Sequence, residues 1–252
     1  MDRFLKIVYK TLAVFFTVSL FLIFGFISII VPASSKGFYE RQFVKISSFG
    51  FSPIDAVRDE ASNMTTQKAR EYLEDITVDE MVDLMMHTIR YCLYLEDDLN
   101  PTVDGEYLEL YRADEKSHMR DVKRVFGSGM IIVGVALAVF IAVLILGLKN
   151  KREYYLTCRK IPYYTLIGIF AFIGLIGIFA LIDFDLAFEM FHQIFFGENY
   201  AFSSGVMIWT IGFIFTDLVP IIFVIWIALL VAFVFGIIGY NKYLRKKLTD
   251  EN

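Results

Sequence analysis

The stretch that decides the fold is SGMIIVGVALAVFIAVLILGL, residues 128–148, in which no side chain is charged. Directly before it, residues 113–126 read ADEKSHMRDVKRVF, so charge crowds one side of a sharp boundary and is absent from the other. An α-helix of about 20 apolar residues crosses the hydrocarbon core of a bilayer. The run therefore predicts a transmembrane helix, and it places His118, whose imidazole titrates near neutral pH, just before the point of entry.

Three further runs have the same character. The chain is 57% hydrophobic, whereas soluble domains are roughly 45–50% apolar. The excess is concentrated in four runs without any charged residue, at 11–31, 125–148, 161–182 and 218–241. A secretory signal is the alternative interpretation of the first run. Its apolar stretch is longer than the roughly 7–15 residues of a signal core, so we favour a retained helix.

Basic residues predict the orientation of these helices, because short cytoplasmic loops are rich in Lys and Arg. The first ten residues hold three, the loop at 149–160 holds five and the tail from residue 242 holds four. Segment 183–217 holds none, together with five acidic residues. The pattern predicts that both termini and the 149–160 loop are cytoplasmic, and that segments 33–124 and 183–217 lie outside.

The predicted fold class is an all-α membrane protein with four transmembrane helices and a mostly helical extracellular cap. Within the cap, EMVDLMMHTIRYCLYLEDDL at 80–99 places apolar residues on one helical face. Thr77 and Glu80 have the spacing of a capping box, and Asp104-Gly105 marks a turn in a short hairpin. The chain then divides into transmembrane helix 1 (1–32), the extracellular cap (33–124), helices 2 and 3 with a cytoplasmic loop (125–182), an extracellular aromatic-rich segment (183–217), and helix 4 with a cytoplasmic tail (218–252).

The end of the aromatic-rich segment resembles a further span without being one. Residues 199–216 are uncharged, but only Asp217 separates them from the last apolar run, which leaves no loop in which the chain can reverse. We expect a re-entrant or interfacial segment that packs under the cap, since irregular backbone at such a depth is tolerated where protein covers it.

The chain has three histidines, and two of them stand at the predicted membrane boundary. His87 is expected to be a partly buried, hydrogen-bonded core residue. His118 has Glu115 at i−3 and Asp121 at i+3, within reach of its ring on a helix. A carboxylate beside an imidazole fixes its tautomer and favours its charged form. A solvated charged face is the alternative for His118.

His192 lies among Phe188, Phe195 and Phe196, with Glu189 at i−3. Ionisable residues near a bilayer are functional candidates by default. Two histidines on the same side of the membrane suit a general acid and a general base that act near a lipid head region. An interfacial histidine at the edge of an aromatic belt is the alternative for His192.

A metal site is a rival hypothesis, because Glu115 to His118 and Glu189 to His192 are both Glu-x-x-His. Two such pairs form part of a di-metal carboxylate site in helix bundles. That site also needs a Glu from each of two further helices, and the four charge-free runs contain none. Other templates are missing altogether: there is no Gly-x-Ser-x-Gly elbow, P-loop or dinucleotide fingerprint. The net charge of −4, without a basic stripe, gives no reason to expect nucleic acid.

Five stretches of the chain resemble the bacterial lipoprotein intramolecular transacylase family. They are FYERQFVK at 38–45, GFSPIDAV at 50–57, DLMMHTIRYC at 83–92, EKSHMRDVK at 115–123 and FHQIFF at 191–196. The resemblance implies four membrane helices with an extracellular cap, and two catalytic histidines, which fall on His118 and His192. The helical spacing assigns supporting roles to Glu115, Asp121 and Glu189. We further expect a substrate site lined by Phe188, Phe191, Phe195, Phe196, Tyr91, Trp209 and Asp217.

The implied reaction moves the sn-2 acyl chain of an S-diacylglyceryl group to the α-amino group of the N-terminal cysteine of a lipoprotein, giving its lyso-form. The implied partners are this lipoprotein and membrane lipid, in the bacterial cell membrane, and the reaction calls for no metal and no cofactor. A membrane sensor or transporter accessory protein without enzymatic activity, and a di-metal carboxylate enzyme, are the alternative functions.

Overall fold

The computed structural model of the chain describes residues 3–47, 52–196, 205–212 and 215–250, without the side chains of 46, 47, 211 and 215–217. Helices dominate it, with one two-stranded hairpin and short turns at Glu60–Asn63 and Ile208–Gly212. The helices are α1 (Arg3–Ala33), α2 (Lys36–Ser47), α3 (Pro53–Asp59), α4 (Gln67–Glu74), α5 (Val78–Cys92), α6 (Ala113–Lys149), α7 (Lys151–Cys158), α8 (Ile161–Ile182), α9 (Phe184–Phe196) and α10 (Phe215–Asp250).

The four predicted transmembrane helices are confirmed. Among the described residues, the helices long and apolar enough to span a membrane are α1, α6, α8 and Leu218–Asp250 of α10. A helix satisfies its own backbone hydrogen bonds, which is why it is one of the few structures that hydrocarbon tolerates. No fifth span appears in the part of the chain that the structure describes, although residues 197–204 and 213–214 lie outside it.

The chain forms two compact units. One, which we call the membrane unit, comprises Met1–Ser28, Gly129–Phe188 and Phe223–Asn252. The other, the cap unit, comprises Ile29–Ser128 and Glu189–Ile222. Helix α6 is continuous through the boundary that the sequence placed at residue 124/125, so the charged turn that carries His118 and the apolar span belong to one helix.

Aromatic side chains pack the helices of the membrane unit. The rings of Phe16 and Phe140 stack with centroids 5.0 Å apart, and those of Phe21 and Trp226 lie 4.7 Å apart. The Trp226 indole donates a hydrogen bond of 3.3 Å to the carbonyl of Phe21 and packs on Gly25, which has no side chain to keep it away. Close approach at small residues is a common way for membrane helices to associate. Helix α7 lies in the stretch predicted as a cytoplasmic loop, and two of its side chains, Tyr155 and Cys158, are buried.

The core of the cap unit is built on α5, as the apolar periodicity predicted. Met81, Leu84, Met85 and Cys92 are buried along one face of this helix. The predicted capping box is present at its start: the Glu80 amide donates to Thr77 Oγ1 at 3.3 Å, and the Thr77 amide donates to Glu80 Oε2 at 2.8 Å. These bonds satisfy two amides that a helix start otherwise leaves without partners.

The loop between α5 and α6 sets where α6 begins. Strands β1 (Thr102–Val103) and β2 (Glu106–Tyr107) form the predicted hairpin, and the turn residues Asp104 and Gly105 both have positive φ, 51° and 81°, as a two-residue primed turn requires. Buried Asn100 then accepts hydrogen bonds from the amides of Leu110, at 2.9 Å, and Tyr111, at 3.2 Å. The chain is thereby fixed two residues before α6.

Removal of the Thr77 hydroxyl tests the contribution of the capping box. We expect Thr77→Ala to destabilise the protein by about 1 kcal/mol, because the Glu80 amide loses its acceptor, and to lower Tm by about 2–4 °C in detergent. Thr77→Ser, which keeps the hydroxyl, serves as the control and is expected to melt close to the wild type. Equal melting of the alanine and serine variants contradicts a stabilising cap.

Candidate active site

The two histidines at the predicted boundary share one aromatic neighbour in the cap unit. His118 lies on α6 and His192 on α9. The Phe196 ring has its centroid 5.0 Å from that of His118 and 5.5 Å from that of His192. Both imidazoles are half-buried. Residues 74 positions apart in the chain are therefore brought together around one phenyl ring, which gives a site with two groups able to transfer protons.

The predicted aromatic wall is the exposed face of α9. Phe191 packs on His192 with centroids 5.3 Å apart and on Phe195 at 4.8 Å. Phe191 is 50% exposed and Phe195 is 48% exposed, whereas Phe196 is half-buried. Phe188, one turn before His192 on the same helix, is also exposed and pairs with Phe184. These rings offer apolar surface beside an ionisable group.

Glu115 is fully buried and accepts hydrogen bonds from two backbone amides. Its Oε2 accepts from the amide of Arg112 at 2.8 Å, which is the glutamate half of a capping box at the start of α6. Its Oε1 accepts from the amide of Met207 at 2.9 Å, 92 residues away. The i−3 spacing led us to expect this carboxylate to orient His118. The structure shows it joining the start of α6 to a distant segment, one helical turn from that histidine.

A second buried carboxylate, Glu60, was missed by the sequence interpretation. Glu60 is 5% exposed, and its Oε1 accepts from the Gly205 amide at 2.9 Å and from the Trp209 indole at 3.1 Å. Its Oε2 accepts from the Asn63 amide group at 2.9 Å. Nothing in the local sequence marks Glu60, because its partners Gly205 and Trp209 are about 145 residues away. We call Glu60 and Glu115 the carboxylate pair, and residues 205–212 the return segment.

Hydrogen bonding decides the ionisation of Glu60. Burial alone would raise the pKa of this carboxyl, but the hydrogen bonds from Asn63, Trp209 and Gly205, with the nearby charge of Arg112, outweigh it and hold the pKa below the ordinary glutamate value. Arg112 also stands near Glu115 and forms an ion pair with Asp114, its Nε 3.3 Å from Oδ1. The carboxylate pair is therefore close to one cation.

Gly205 begins the return segment at a place where only glycine fits. Its φ is +125°, a conformation that side chains disfavour. A Cβ at this position would also overlap the carboxylate of Glu115, 2.8 Å from its Cδ. The segment continues through buried Val206 and Met207 into the π-helical turn Ile208–Gly212, and it packs against α3 and α5. The expectation that this part of the chain packs on the cap is therefore confirmed for residues 205–212.

The remaining predicted site residues have other neighbours. Asp121 Oδ1 accepts from Arg124 at 2.9 Å, and Glu189 Oε1 accepts from Gln193 at 3.0 Å. Tyr91 is buried in the core of the cap unit, where the Lys123 ammonium lies 3.9 Å above its ring. Trp209 is bound by Glu60. The side chain of Asp217 lies outside the described residues, so its predicted role has no structural description.

His87 has the role that the sequence predicted. It is half-buried, and its Nε2 lies 3.0 Å from the carbonyl of Asp98. For the metal hypothesis, the described ranges contain no group of three or more His, Cys, Asp or Glu side chains placed to hold an ion. Glu115, one of its four proposed ligands, uses both oxygens on backbone amides.

Four apolar helices, together with a helical unit in which two imidazoles contact one aromatic ring, define an integral-membrane protein. The family model for the lipoprotein intramolecular transacylase Lit matches residues 13–203, and the chain belongs to that family. It is therefore an acyltransferase, a lipoprotein intramolecular transacylase. The non-enzymatic alternative is not retained.

Two solved structures share the fold. Both are in meso structures of the membrane-integral lipoprotein intramolecular transacylase Lit from Bacillus cereus, one of them carrying a histidine-to-arginine substitution. The substituted protein aligns with a TM-score of 0.61 at 16% identity, over 98% of this chain and 95% of that chain. The other aligns with a TM-score of 0.61 at 18% identity, over 98% and 99%. No curated protein sequence matches the chain significantly.

Substitution of Gly205 tests the packing of the return segment. We expect Gly205→Ala to destabilise the protein by about 1–3 kcal/mol, since it strains the backbone and pushes the Glu115 carboxylate away from the Met207 amide. Thermal unfolding in detergent measures the change. Gly129→Ala is the matched control, because a Cβ at that helical position meets open space, and it is expected to leave Tm unchanged or slightly raised. A Gly205→Ala protein as stable as that control contradicts the tight packing.

The depressed pKa of Glu60 predicts a pH dependence with a definite sign. A lowered folded-state pKa stabilises the fold above the unfolded-state value of about 4.3, and this contribution is lost as the pH falls through the lower folded-state value. The variant Trp226→Phe keeps Trp209 as its one tryptophan. The fluorescence of Trp209 is expected to change with pH, with a midpoint below the ordinary glutamate pKa of about 4.3. The transition is expected to disappear in Trp226→Phe/Glu60→Gln; its persistence there would assign it to another group.

Proposed function

We propose that the enzyme transfers the sn-2 acyl chain of the S-diacylglyceryl group to the α-amino group of the same N-terminal cysteine of a lipoprotein. The product is an N-acyl, S-monoacylglyceryl lipoprotein, the lyso-form. Family membership supplies the general reaction, an intramolecular acyl transfer on a lipoprotein. The acyl position and the acceptor amine are what the resemblance to this family implies, and two histidines are groups that can support that chemistry.

The transfer exchanges an ester for an amide within one molecule. The amine nitrogen attacks the ester carbonyl carbon, the C–N bond forms, and the bond from that carbon to the glyceryl oxygen breaks. One proton leaves nitrogen and one proton arrives on the departing oxygen, so the reaction is balanced without any other reactant. An α-amino group has an ordinary pKa of about 7.7–8.0, so a histidine is a suitable base for it.

The observation that carries the proposal is the Phe196 ring shared by His118 and His192. It supports two proton-transfer groups working on a single substrate, one at the nitrogen and one at the oxygen. We assign His118 as the base and His192 as the acid, with the reverse assignment as the alternative, and we keep Glu115, Asp121 and Glu189 as proposed supporting carboxylates. General acid–base catalysis of this kind typically contributes about 10²–10⁴-fold.

Direct attack by the substrate's own amine makes an enzyme nucleophile, a metal and a soluble cofactor unnecessary in this proposal. Holding the two groups of one substrate together supplies much of the acceleration, since effective molarities reach about 10⁵ M or more. Phe188, Phe191 and Phe195 expose apolar surface along α9, which would receive acyl chains, fold the substrate and exclude competing water. Tyr91, Trp209 and Asp217 remain proposed members of the substrate site.

The proposed location is the bacterial cell membrane, with both termini in the cytoplasm. The four apolar helices support residence in a membrane, and the distribution of basic residues supports the orientation. The aromatic face of α9 would then stand at the outer boundary, where a lipoprotein holds its diacylglyceryl anchor.

Mass spectrometry of a model lipoprotein tests this function. We would express it in a bacterium lacking N-acylation, together with the wild type, His118→Ala or His192→Ala. The wild type is expected to leave the total mass unchanged while moving one acyl chain onto nitrogen, seen by fragmentation of the N-terminal peptide. Each histidine variant is expected to lower the rate by about 10²-fold or more, because a proton-transfer group is missing.

His87→Ala is the matched control, since His87 makes a structural contact in the cap unit, and it is expected to retain the activity. All proteins are quantified in the membrane fraction. A free amine in the wild-type sample, with the enzyme present in the membrane, contradicts this acyl transfer. Full activity in either His118→Ala or His192→Ala contradicts the assigned acid–base pair.

A further inference from the structure

The return segment comes after one histidine-bearing helix, α9, in the chain and is hydrogen-bonded to the other, α6. Helix α9, with His192 and Phe196, ends at Phe196, and the chain is next described at Gly205. The backbone from Gly205 is held by Glu60 and Glu115. Glu115 stands one helical turn before His118 on α6. Helix α6 therefore both carries His118 and binds the return segment, which comes after α9 in the chain.

Glu60 accepts three hydrogen bonds, two from the return segment and one from Asn63. One oxygen accepts from both the Gly205 amide and the Trp209 indole, which are four residues apart on the segment. The other oxygen accepts from Asn63, in the turn that Glu60 itself begins. A buried carboxylate is costly unless donors surround it, so these contacts define a place built to hold this segment.

We infer that Glu60 is a positioning residue, which together with Glu115 fixes the return segment to the cap unit and so sets where His192 and Phe196 stand relative to His118. This role rests on the proposed function for its effect on catalysis. It acts on the reacting groups only through the backbone that it holds. Misplacement by about 1 Å in a site of this kind can cost on the order of 10²-fold in rate.

The two carboxylates differ in a way that separates them experimentally. An amide side chain has one acceptor oxygen and one donor nitrogen. At position 60 a glutamine oxygen can accept from both Gly205 and Trp209, while its nitrogen faces Asn63, whose own amide can turn to present oxygen. At position 115 both oxygens accept from backbone amides. The side-chain NH₂ group of a glutamine there would face the N–H of either Arg112 or Met207, and two donors cannot form a hydrogen bond with each other. The geometry therefore predicts that Glu60→Gln is tolerated and Glu115→Gln is not.

Hydrogen exchange tests the structural half of the inference without any substrate. Peptides that cover the return segment are expected to exchange at least tenfold faster, by about 1.4 kcal/mol of lost protection, in Glu60→Ala and Glu115→Gln than in the wild type. Glu60→Gln is expected to exchange at a rate between those of the wild type and Glu60→Ala, because it keeps an acceptor oxygen but loses the charge that strengthens these hydrogen bonds. Glu74→Ala, which removes an exposed glutamate from α4 of the same unit, is the matched control and is expected to change nothing.

Initial rates of acyl transfer test the catalytic half. Glu60→Ala is expected to lower kcat on the order of 10–100-fold with little change in KM, whereas Glu60→Gln restores it to within about threefold, because the acceptors are kept. Trp209→Phe removes one donor from Glu60, and the loss in Glu60→Ala/Trp209→Phe is expected to be smaller than the product of the two single losses, as for residues that act through one contact.

Wild-type exchange or wild-type kcat in Glu60→Ala overturns the inference. So does a loss in Glu60→Gln as large as that in Glu60→Ala, since the charge rather than the hydrogen-bond geometry would then be what matters. A wild-type enzyme that does not transfer acyl chains to nitrogen contradicts the proposed function instead. Exchange in the return segment, measured on the protein alone, still decides in that case whether Glu60 and Glu115 hold the segment.

Discussion

The cap unit depends on two buried carboxylates that accept hydrogen bonds from one distant piece of backbone. Glu60 and Glu115 lie out of water, where a polar group is stable only among hydrogen-bond partners. Their partners include amides of the return segment and the Trp209 indole. The segment in turn has no helix or strand long enough to hold it in place through its own hydrogen bonds. Each partner therefore stabilises the other, and the return segment acquires a fixed position.

The membrane unit obeys a different constraint. In hydrocarbon every backbone amide and carbonyl must be satisfied internally, and this requirement leaves long apolar helices as the simple solution. Charge is then excluded from their interiors, so their positions are visible in the sequence as uninterrupted runs. The bounds of the helices follow less closely, because α6 and α10 extend beyond the apolar runs into charged turns. A helix need not end where its apolar run ends, and His118 lies on the charged part of α6 that precedes the apolar run.

Local patterns were therefore predictable, and distant contacts were not. The capping box of Thr77 and Glu80, the turn at Asp104 and Gly105, and the buried face of α5 all depend on residues a few positions apart. The pairing of His118 with His192 came from their common environment and from a family resemblance. Glu60 could not be found in this way, because a lone glutamate in a short polar turn carries no sign of a partner 145 residues away. The spacing of Glu115 from His118 was visible in the sequence, but the hydrogen bonds from the Arg112 and Met207 amides to its oxygens were not.

The exposed aromatic face of α9 has a consequence for how the enzyme meets its substrate. Under the proposed function, a lipid-anchored substrate would reach Phe191 and Phe195 by lateral diffusion in a two-dimensional phase, so the relevant concentration would be a number per unit of membrane area. Dilution of the surrounding bilayer with inert lipid would slow encounters even when the molarity of enzyme and substrate in the tube is constant. Saturation of the enzyme would then depend on the mole fraction of substrate in the lipid. An increase in membrane area would lower that mole fraction and slow the reaction.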